Sequence, residues 1–476
     1  MKKRIIALIL LIVSLSVFGC AKISNLPMDS SASGMQDPKP SAPSSSAGIP
    51  EKDETAIADK NDDGPSPEEN KDEGQTGEEP GSEEDKDEGQ ISEKPVFKEN
   101  KSEGQISEAL STANREFSWN LFKKLNAEDS SENIFISPYS ISSALTMALN
   151  GAEGNTRVEM EKTLQYNGLN RDDLNIGYAN EANRLSKLDK KVKLQNANSI
   201  WMRSSFEVKK EFIELNRRYM QAEVQSLDFK DSSSADAING WVSEKTNKLI
   251  TKIISPPIPD DVIMYLINAI YFKGEWTTEF KQENTREKDF YALDGKTDKV
   301  QMMFRSGRID YLDNDELQAV RLPYGDEKLS MVVVLPKKDL DGWINSMNGD
   351  KWKGILAGFN PVSDLQLQIP KFKMEYGIKE LNGVLKELGM REAFTDAADF
   401  TGIANNLYIS QVLHKAVVDV NEQGTDAAAV TAVIVVTTAF REPLTFTADR
   451  PFFFAIVDND QGNLLFMGKK ITGDRD

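Results

Sequence analysis

The sequence predicts an α+β fold for the part of the chain that follows residue 106. Most of its helical patterns come first and most of its strand patterns come later, whereas regular alternation of strand and helix would indicate a parallel sheet. No further linker interrupts the chain after residue 107. Its length suits one large domain or two smaller ones.

The helices are predicted from apolar residues that recur every three or four positions. In the first helix, apolar side chains from Leu110 to Leu125 form one stripe. Ser137 or Ser140 can cap the second helix and Asn155 the third, because such side chains accept hydrogen bonds from free backbone N–H groups. The predicted helices cover 109–126, about 137–149, 155–164, 171–188, 208–220, 233–249 and 378–389.

The strands are predicted where β-branched and aromatic residues cluster. The run from Val430 to Thr438 contains only Val, Ile, Thr and Ala, and it fits a strand interior. It follows the flexible Gly424 and the small Ala427–Ala429, and it ends before Phe440–Pro443, which does not suit a strand. The other predicted strands are 191–203, 262–273, 318–323, 329–335, 365–373, 407–422 and 451–468.

The N-terminus has the pattern of a secretion signal. Three basic residues precede an apolar core, Ile5–Phe18, which is too short to span a membrane comfortably. Val17–Cys20 resembles a bacterial lipoprotein box, in which residues 1–19 are removed and Cys20 is lipidated. We therefore expect a protein anchored through Cys20 to the extracellular face of a bacterial cell membrane, and this lipid is the only membrane contact that we expect. A plain signal peptide is the alternative.

Residues 20–106 are expected to form a disordered acidic tether. Between residues 21 and 106 the chain has 22 acidic and 9 basic residues, and it is rich in Ser, Pro and Gly. Such a segment cannot bury enough apolar surface to offset the entropy of ordering. A five-residue motif recurs at Lys71, Lys86 and Lys101. The tether would reach roughly 50 Å, and its charge argues against nucleic acid as a partner.

Two residue counts exclude several kinds of active site. Cys20 is the only cysteine and His414 the only histidine. An acylated Cys20 cannot serve in a Cys–His pair, and Cys/His zinc sites lack ligands. A Ser-His-Asp triad would have to use His414, and no Gly-rich phosphate loop is present. Hydrolysis by paired carboxylates stays open, because the chain has 76 acidic residues. No metal and no cofactor are predicted.

Six separate motifs stand out between residues 107 and 476. They are Asn133–Ile141, Asn268–Trp276, Ile369–Phe372, Leu407–Ala416, the segment 422–443 and Ala448–Phe454. These motifs resemble those of the serpins and occur in the same order. The resemblance implies a single domain with a large mixed β-sheet, smaller sheets, a helical layer and an exposed reactive-centre loop.

This resemblance implies an inhibitor of serine endopeptidases rather than an enzyme. In that family a protease cleaves the loop and forms an acyl-enzyme, and it is trapped when the loop inserts as a new central strand, here 424–438. Every second residue from Thr425 to Val435 is small or β-branched and uncharged, so this face could be buried. The hinge residues that the resemblance implies are Glu422, Gly424, Thr425, Asp426, Ala427, Ala428 and Ala429.

The resemblance also assigns two groups of residues to the sheet. Ser140, Asn268 and His414 would form a buried polar cluster that holds the sheet closed and re-forms around the new strand. His414 is then a core residue rather than a catalytic one. At the top of the sheet, Lys371 would pair with Glu422 close to Trp276.

The reactive bond is predicted between Thr438 and Ala439. The family's usual spacing of seventeen residues from Glu422 gives this bond, whereas counting back from Pro451 allows cleavage after Phe440 or Arg441. Thr438 implies an elastase- or subtilisin-like target, Phe440 a chymotrypsin-like one and Arg441 a trypsin-like one. We expect Thr438, because the hinge side sets the geometry of insertion.

The sequence therefore favours a monomeric, lipid-anchored serine protease inhibitor that protects proteins at the cell surface. One alternative is a serpin-fold surface protein that binds without inhibiting, but the small hinge residues argue against it. Another alternative is a hydrolase with paired carboxylates, for which no matched pair stands out.

Overall fold

The computed structural model of the protein describes residues 101–425 and 443–473. The predicted signal peptide, Cys20 and the tether up to residue 100 lie outside these ranges. Residues 426–442, which carry most of the predicted inserting strand and the predicted reactive bond, also lie outside them.

The described helices follow the predicted ones closely in the first half of the chain. None of them is long and apolar enough to cross a membrane. The helices are α1 (Glu103–Glu128), α2 (Pro138–Leu149), α3 (Gly154–Thr163), α4 (Arg171–Leu185), α5 (Lys210–Met220), α6 (Ser233–Lys245), α7 (Leu340–Ser346), α8 (Gly349–Ala357) and α9 (Asn382–Glu387).

The strands form one large sheet, one four-stranded sheet and two small pairs. They are β1 (Ile134–Ile136), β2 (Val192–Arg203), β3 (Glu223–Leu227), β4 (Met264–Glu275), β5 (Arg286–Tyr291), β6 (Thr297–Asp313), β7 (Leu317–Tyr324), β8 (Leu329–Pro336), β9 (Asn360–Pro370), β10 (Phe372–Glu375), β11 (Lys379–Glu380), β12 (Leu413–His414), β13 (Val417–Val420), β14 (Gly424–Thr425), β15 (Leu444–Thr447), β16 (Phe452–Asp458) and β17 (Leu464–Lys470).

Helix α1 begins six residues before its predicted start. Ser102 is its N-cap, with its hydroxyl accepting from the Gln105 N–H while the Gln105 side chain accepts from the Ser102 N–H. This reciprocal capping box satisfies two backbone donors that the first turn leaves free. Residues 103–106, which were assigned to the tether, therefore form the first turn of the helix.

Two predicted elements between residues 378 and 422 are wrong in part. The predicted helix 378–389 is limited to α9, because Lys379 and Glu380 pair as β11 with β12 and because Gly389, with φ +117°, ends the helix. The predicted strand 407–422 is reduced to β12 and β13. The backbone of residues 407–412 forms hydrogen bonds outside the sheets. The Ile409 N–H donates to the Ala393 carbonyl, and the Val412 N–H donates to the Asn382 side chain.

The nine-stranded sheet is mixed. Its order is β1-β17-β16-β8-β7-β6-β9-β15, with β5 added to β6. Strand β15 runs parallel to β9, and the other pairs of this sheet are antiparallel. One face packs on α1, where the Trp119 ring stacks on Phe453 with ring centroids 5.1 Å apart.

The four-stranded sheet has the order β14-β4-β2-β3, and its strand β4 separates two apolar clusters. Ile270 and Phe272 face the main core. Ile267 and Ala269 face a second cluster that contains Trp241 of α6. This alternation follows from the two-residue period of a strand.

One edge of β4 is largely open among the described residues. Strand β2 pairs with β4 from Met264 to Gly274, but on the other edge β4 pairs only with β14, at Gly274 and Glu275. No described strand pairs with that edge between residues 264 and 273. Leu413 of β12 and Val417 of β13 pack against the same second cluster as β4, so these strands lie across the opening from β4.

We expect Ser102→Ala to lower the free energy of unfolding by about 1 kcal/mol, because the first turn of α1 loses its N-cap. The measurement is chemical unfolding of the full chain. Ser131→Ala, at an exposed serine outside the helices, is the control. Equal midpoints for the two variants would contradict the capping role.

Candidate functional site

The predicted hinge begins with a tight turn at the open edge of β4. Asn421 forms a bridge with Gly424, and the next residues pair antiparallel with β4, Gly424 with Glu275 and Thr425 with Gly274. The first two residues of the predicted inserting segment therefore already lie beside β4.

Glycine is required at position 424 for two reasons. Its φ is +149°, which L side chains rarely adopt. A Cβ atom there would lie 2.1 Å from the Gly274 carbonyl oxygen and 2.8 Å from Glu275 Cα. The backbone of the hinge can approach β4 this closely only without a side chain.

Thr425 is buried and holds the chain in place through its hydroxyl. Its Oγ1 lies 3.0 Å from the Tyr324 hydroxyl, and the residue is 4% exposed. Burial raises the pKa of Tyr324 well above its usual value, so the phenol is neutral and can donate or accept. The Tyr324 ring also packs edge-to-face on Phe272.

Trp276 fixes the turn from the other side. Its backbone N–H donates to the Gln423 carbonyl at 2.9 Å, and its indole N–H donates to the Asn421 carbonyl at 3.0 Å. The indole stacks on Tyr324 with centroids 4.5 Å apart. This aromatic pair therefore contacts both the turn and Thr425.

Glu422 is buried, and both its carboxylate and its backbone carbonyl accept hydrogen bonds. Its carboxylate accepts from Lys371 Nζ at 3.1 Å and from the Thr285 hydroxyl at 2.9 Å, and its carbonyl accepts from the Phe280 N–H at 2.8 Å. Burial by itself raises the pKa of this carboxyl. The backbone hydrogen bond, Lys371 and Thr285 together outweigh burial and hold the pKa below its usual value. The structure thus places Lys371, Glu422 and Trp276 together.

Of the three residues assigned to the polar cluster, Ser140 and Asn268 are in contact. The Ser140 hydroxyl donates to Asn268 Oδ1. The Asn268 side-chain N–H groups donate to Asn196 and, at 2.7 Å, to Asn198. This cluster joins the first turn of α2 to β2 and β4.

His414 lies apart from that pair. Its Nε2 accepts from the Ser137 N–H at 3.1 Å, and it makes no hydrogen bond to Ser140 or Asn268 among the described residues. Ser137 caps α2 at the Ser140 N–H, so the two parts of the cluster meet the same helix from opposite sides of the opening. Burial lowers the pKa of His414 to about 4, and a neutral ring is what an acceptor at Nε2 requires.

Some residues of this site were not predicted. Tyr324 carries no signal in the sequence, because a tyrosine at the end of a strand fits an ordinary core equally well. Asn196 and Asn198 do carry a signal in the sequence. Polar residues two positions apart in a strand share a face of the sheet, and buried amide side chains require hydrogen-bond partners. Phe280 and Thr285 were not predicted either, and Ser137 was predicted only as a possible cap of the second helix, which the structure confirms.

The remaining predicted site residues lie outside the described ranges. They are Asp426, Ala427, Ala428, Ala429, Thr438, Ala439, Phe440, Arg441 and Cys20. In the part of the chain that the structure describes, no group of three or more His, Cys, Asp or Glu residues could hold a metal ion.

Comparison with known proteins gives one consistent result. The family model described as Serpin (serine protease inhibitor) matches residues 112–472. "Iris" of Ixodes ricinus is 35% identical over 76% of this chain and 98% of its own length. The leukocyte elastase inhibitor of Sus scrofa is 34% identical, also over 76% of this chain and 98% of its own. The native state of the thermophilic serpin tengpin is 35% identical with a TM-score of 0.69, over 79% of this chain and 96% of that one.

We expect the stability of the protein to depend on pH through His414. Between pH 6.5 and about 4 the unfolded chain takes up a proton that the folded chain cannot. Stability that is complete above pH 6.5 is therefore lost as the pH falls, by about 3 kcal/mol in total. Urea unfolding of the protein and of His414→Gln across this range measures the difference. Parallel stability curves would show that His414 does not titrate in this way.

We expect Gly424→Ala to lower the free energy of unfolding by more than about 1 kcal/mol, because the new methyl group meets the Gly274 carbonyl. Gly240→Ala in α6 is the matched control, since nothing lies within 4 Å of its added Cβ. This control should raise stability by about 0.5–1 kcal/mol. Thermal unfolding compares the two, and a change in the same direction for both would refute the close approach of Gly424 to β4.

Proposed function

The chain belongs to the serpin family, and we propose that it inhibits a serine protease irreversibly by trapping the enzyme on its cleaved loop. The serine of the protease attacks the Thr438 carbonyl, the Ala439 amine leaves, and an ester joins enzyme and inhibitor. Insertion of 424–438 beside β4 then carries the bound protease away before water hydrolyses the ester.

The observation that carries this proposal is the register of β14 at the open edge of β4. Thr425 faces Gly274 in an antiparallel pair, so each later residue of the loop would meet the β4 residue one position earlier. Cross-strand partners share a face of the sheet. The pairs on the core face would be Ala427 with Phe272, Ala429 with Ile270, Thr431 with Asn268, Val433 with Leu266 and Val435 with Met264.

The side chains of these pairs are complementary. Alanines would lie opposite Ile270 and the large Phe272 ring, valines opposite the half-buried Leu266 and Met264, and a threonine opposite the polar Asn268. On the other face Asp426 would lie opposite Lys273, and opposite charges at such positions stabilise a strand pair. No proline removes a ladder donor between residues 425 and 442.

The target class follows from the residues around the bond. Thr438 and the preceding apolar Val435 and Val436 suit the broad, apolar sites of elastase- or subtilisin-like enzymes. The similarity to a protein named leukocyte elastase inhibitor supports this choice. Cleavage after Phe440 or Arg441 would imply a chymotrypsin- or trypsin-like target instead.

We further propose that the inhibitor acts as a monomer at the extracellular face of a bacterial membrane. The support comes from the sequence: the lipoprotein-like Cys20 gives an anchor and the acidic segment 20–106 a spacer. This arrangement would keep the loop close to proteases that attack surface proteins.

We expect the purified chain, mixed with an elastase- or a subtilisin-like protease, to form a covalent adduct that survives SDS. The released C-terminal peptide should begin at Ala439, as read by intact mass. Thr425→Arg should abolish the adduct but not the cleavage, because a charge cannot replace the buried Thr425 beside Tyr324. Thr251→Arg, at an exposed threonine, should leave the adduct unchanged.

A covalent adduct with a peptide that begins at Arg441 or Glu442 would support the trapping mechanism and show that the reactive bond follows Phe440 or Arg441. Cleavage without an adduct by every serine protease tried would mean that the protein is a substrate and not an inhibitor.

A further inference from the structure

A groove of about 470 Å³ lies beside the first half of α1. One wall is the stripe of α1 from Gln105 to Glu116, and the other wall is formed by Gln165 and Asn167 of the loop between α3 and α4. The exposed surface of the groove is mainly apolar, and the partly buried Ala109 belongs to it. The volume is in the range of sites that hold a small ligand or a few side chains.

The chain enters α1 next to this groove. Lys101, the first described residue, donates from Nζ to the Gly168 carbonyl, and the same Nζ lies 3.4 Å from an Asp173 carboxylate oxygen. Gly168 directly follows Asn167, which lines the groove. These contacts hold the beginning of α1 beside the groove, so the residues just before Lys101 are within reach of it.

Residues 94–101 differ from the rest of the predicted tether. Phe97 is the only aromatic residue between residues 21 and 106, and Val96 precedes it. The charge also changes sign: residues 21–93 have 20 acidic and 6 basic residues, whereas residues 94–101 have three lysines and one glutamate. An aromatic ring this close to the folded part can be buried against it at a small cost in loop-closure entropy.

An extended path back along α1 would place the apolar pair in the groove. Asn100 is of a residue type that favours turns, and it directly precedes Lys101. Four extended residues advance about 13 Å, which is the rise of about nine helical residues. Phe97 would therefore lie beside Ala109, and the preceding valine would lie further along the same stripe.

The same path would bring opposite charges together at the rim of the groove. Lys98 would lie beside Glu108, and Lys94 beside Glu116. Both carboxylates line the groove. The Glu116 carboxylate accepts the Gly349 N–H at 2.9 Å and forms no ion pair with any described residue. Lysine stems can cover apolar surface while their ammonium groups reach such carboxylates.

We propose that this groove binds the segment Lys94–Lys101 of the same chain, with Phe97 on its apolar surface and two lysines at its acidic rim. The docking does not depend on the inhibitory function. Proteases cut exposed, flexible segments most readily, so docking shields the bond after Lys98. Under the anchoring proposed through Cys20, a cut there would release the inhibitor from the membrane, and the docked segment protects this attachment.

The test is limited digestion of the full chain by a protease that cuts after lysine. Residues 426–442 contain no lysine, so this enzyme does not cut them. Lys86, in the tether outside the docked segment, is the internal reference. Each rate is read from the masses of the products and divided by the rate at the same site in a synthetic peptide. We expect the cut after Lys98 to be at least about tenfold slower than the cut after Lys86.

A variant that fills the groove should remove this protection. In Ala109→Arg the long side chain occupies the groove and its charge repels Lys98, so the two rates should agree within about threefold. Ala127→Arg, at an exposed alanine near the end of α1, is the matched control and should keep the wild-type ratio. If Ala109→Arg does not fold, as judged by thermal unfolding, Phe97→Gln tests the same contact from the tether.

A second variant tests the charges at the rim. Glu116→Gln can keep the hydrogen bond to the Gly349 N–H but loses the negative charge. It should raise the rate of the cut after Lys98 by about twofold at low salt, and Lys94→Gln should have no further effect in this background.

Two results would overturn the proposal. If Ala109→Arg and Phe97→Gln are cut after Lys98 as slowly as the wild type, slow cutting reflects only the nearness of the folded part. If protection of the wild type increases with protein concentration, the groove is occupied by a second copy and not by the same chain. Neither measurement involves the trapping of a protease, so failure of the proposed function would leave both unchanged.

Discussion

The structure depends on the edge of β4 that its described neighbours leave open. A strand edge presents backbone N–H and C=O groups that another strand can bind. Between residues 264 and 273 no described strand binds them, although both faces of β4 pack on apolar clusters. A strand whose faces are packed and whose edge the described strands leave largely unpaired can gain stability by accepting a further strand. The chain carries a β-branched run immediately after the point where its backbone reaches this edge.

The turn at residues 421–424 determines how that run would meet the edge. Trp276 binds two of its carbonyls, Glu422 is held by Lys371 and Thr285, and Gly424 approaches the Gly274 carbonyl closely. These contacts fix the register at Thr425 and Gly274. A slip by one residue would turn every side chain to the opposite face. Asp426 would then face the main core, so the constraint at the turn selects the buried face along the whole segment.

The sequence predicts the larger part of this arrangement but not its contacts. Helix periodicity located α4 and α5 closely, and the alternation of small residues after Gly424 predicted a strand that could be buried. The start of α1 was wrong because the Ser102–Gln105 capping box resembles the repeats of the tether. The strand predicted at 407–422 was wrong in part because backbone groups of its first half form hydrogen bonds with the Asn382 side chain of α9. A single sequence does not show which backbone groups will bond to side chains instead of to a neighbouring strand. The grouping of His414 with Ser140 and Asn268 came from the family resemblance, and in the structure the His414 ring accepts its hydrogen bond from the Ser137 N–H.

The polar cluster gives an independent reason to accept the register. On the core face of β4 from Met264 to Phe272, Asn268 is the single polar residue, and from Ala427 to Val436 Thr431 is the single polar residue. The register observed at Thr425 would bring these two opposite each other. A shift of two residues in either direction would place the threonine against Ile270 or Leu266 and cover Asn268 with an apolar side chain. A hydroxyl both donates and accepts, so Thr431 could join the hydrogen bonds of Asn268 and Ser140 without leaving a buried polar atom unpaired, and no other residue of the run could do so.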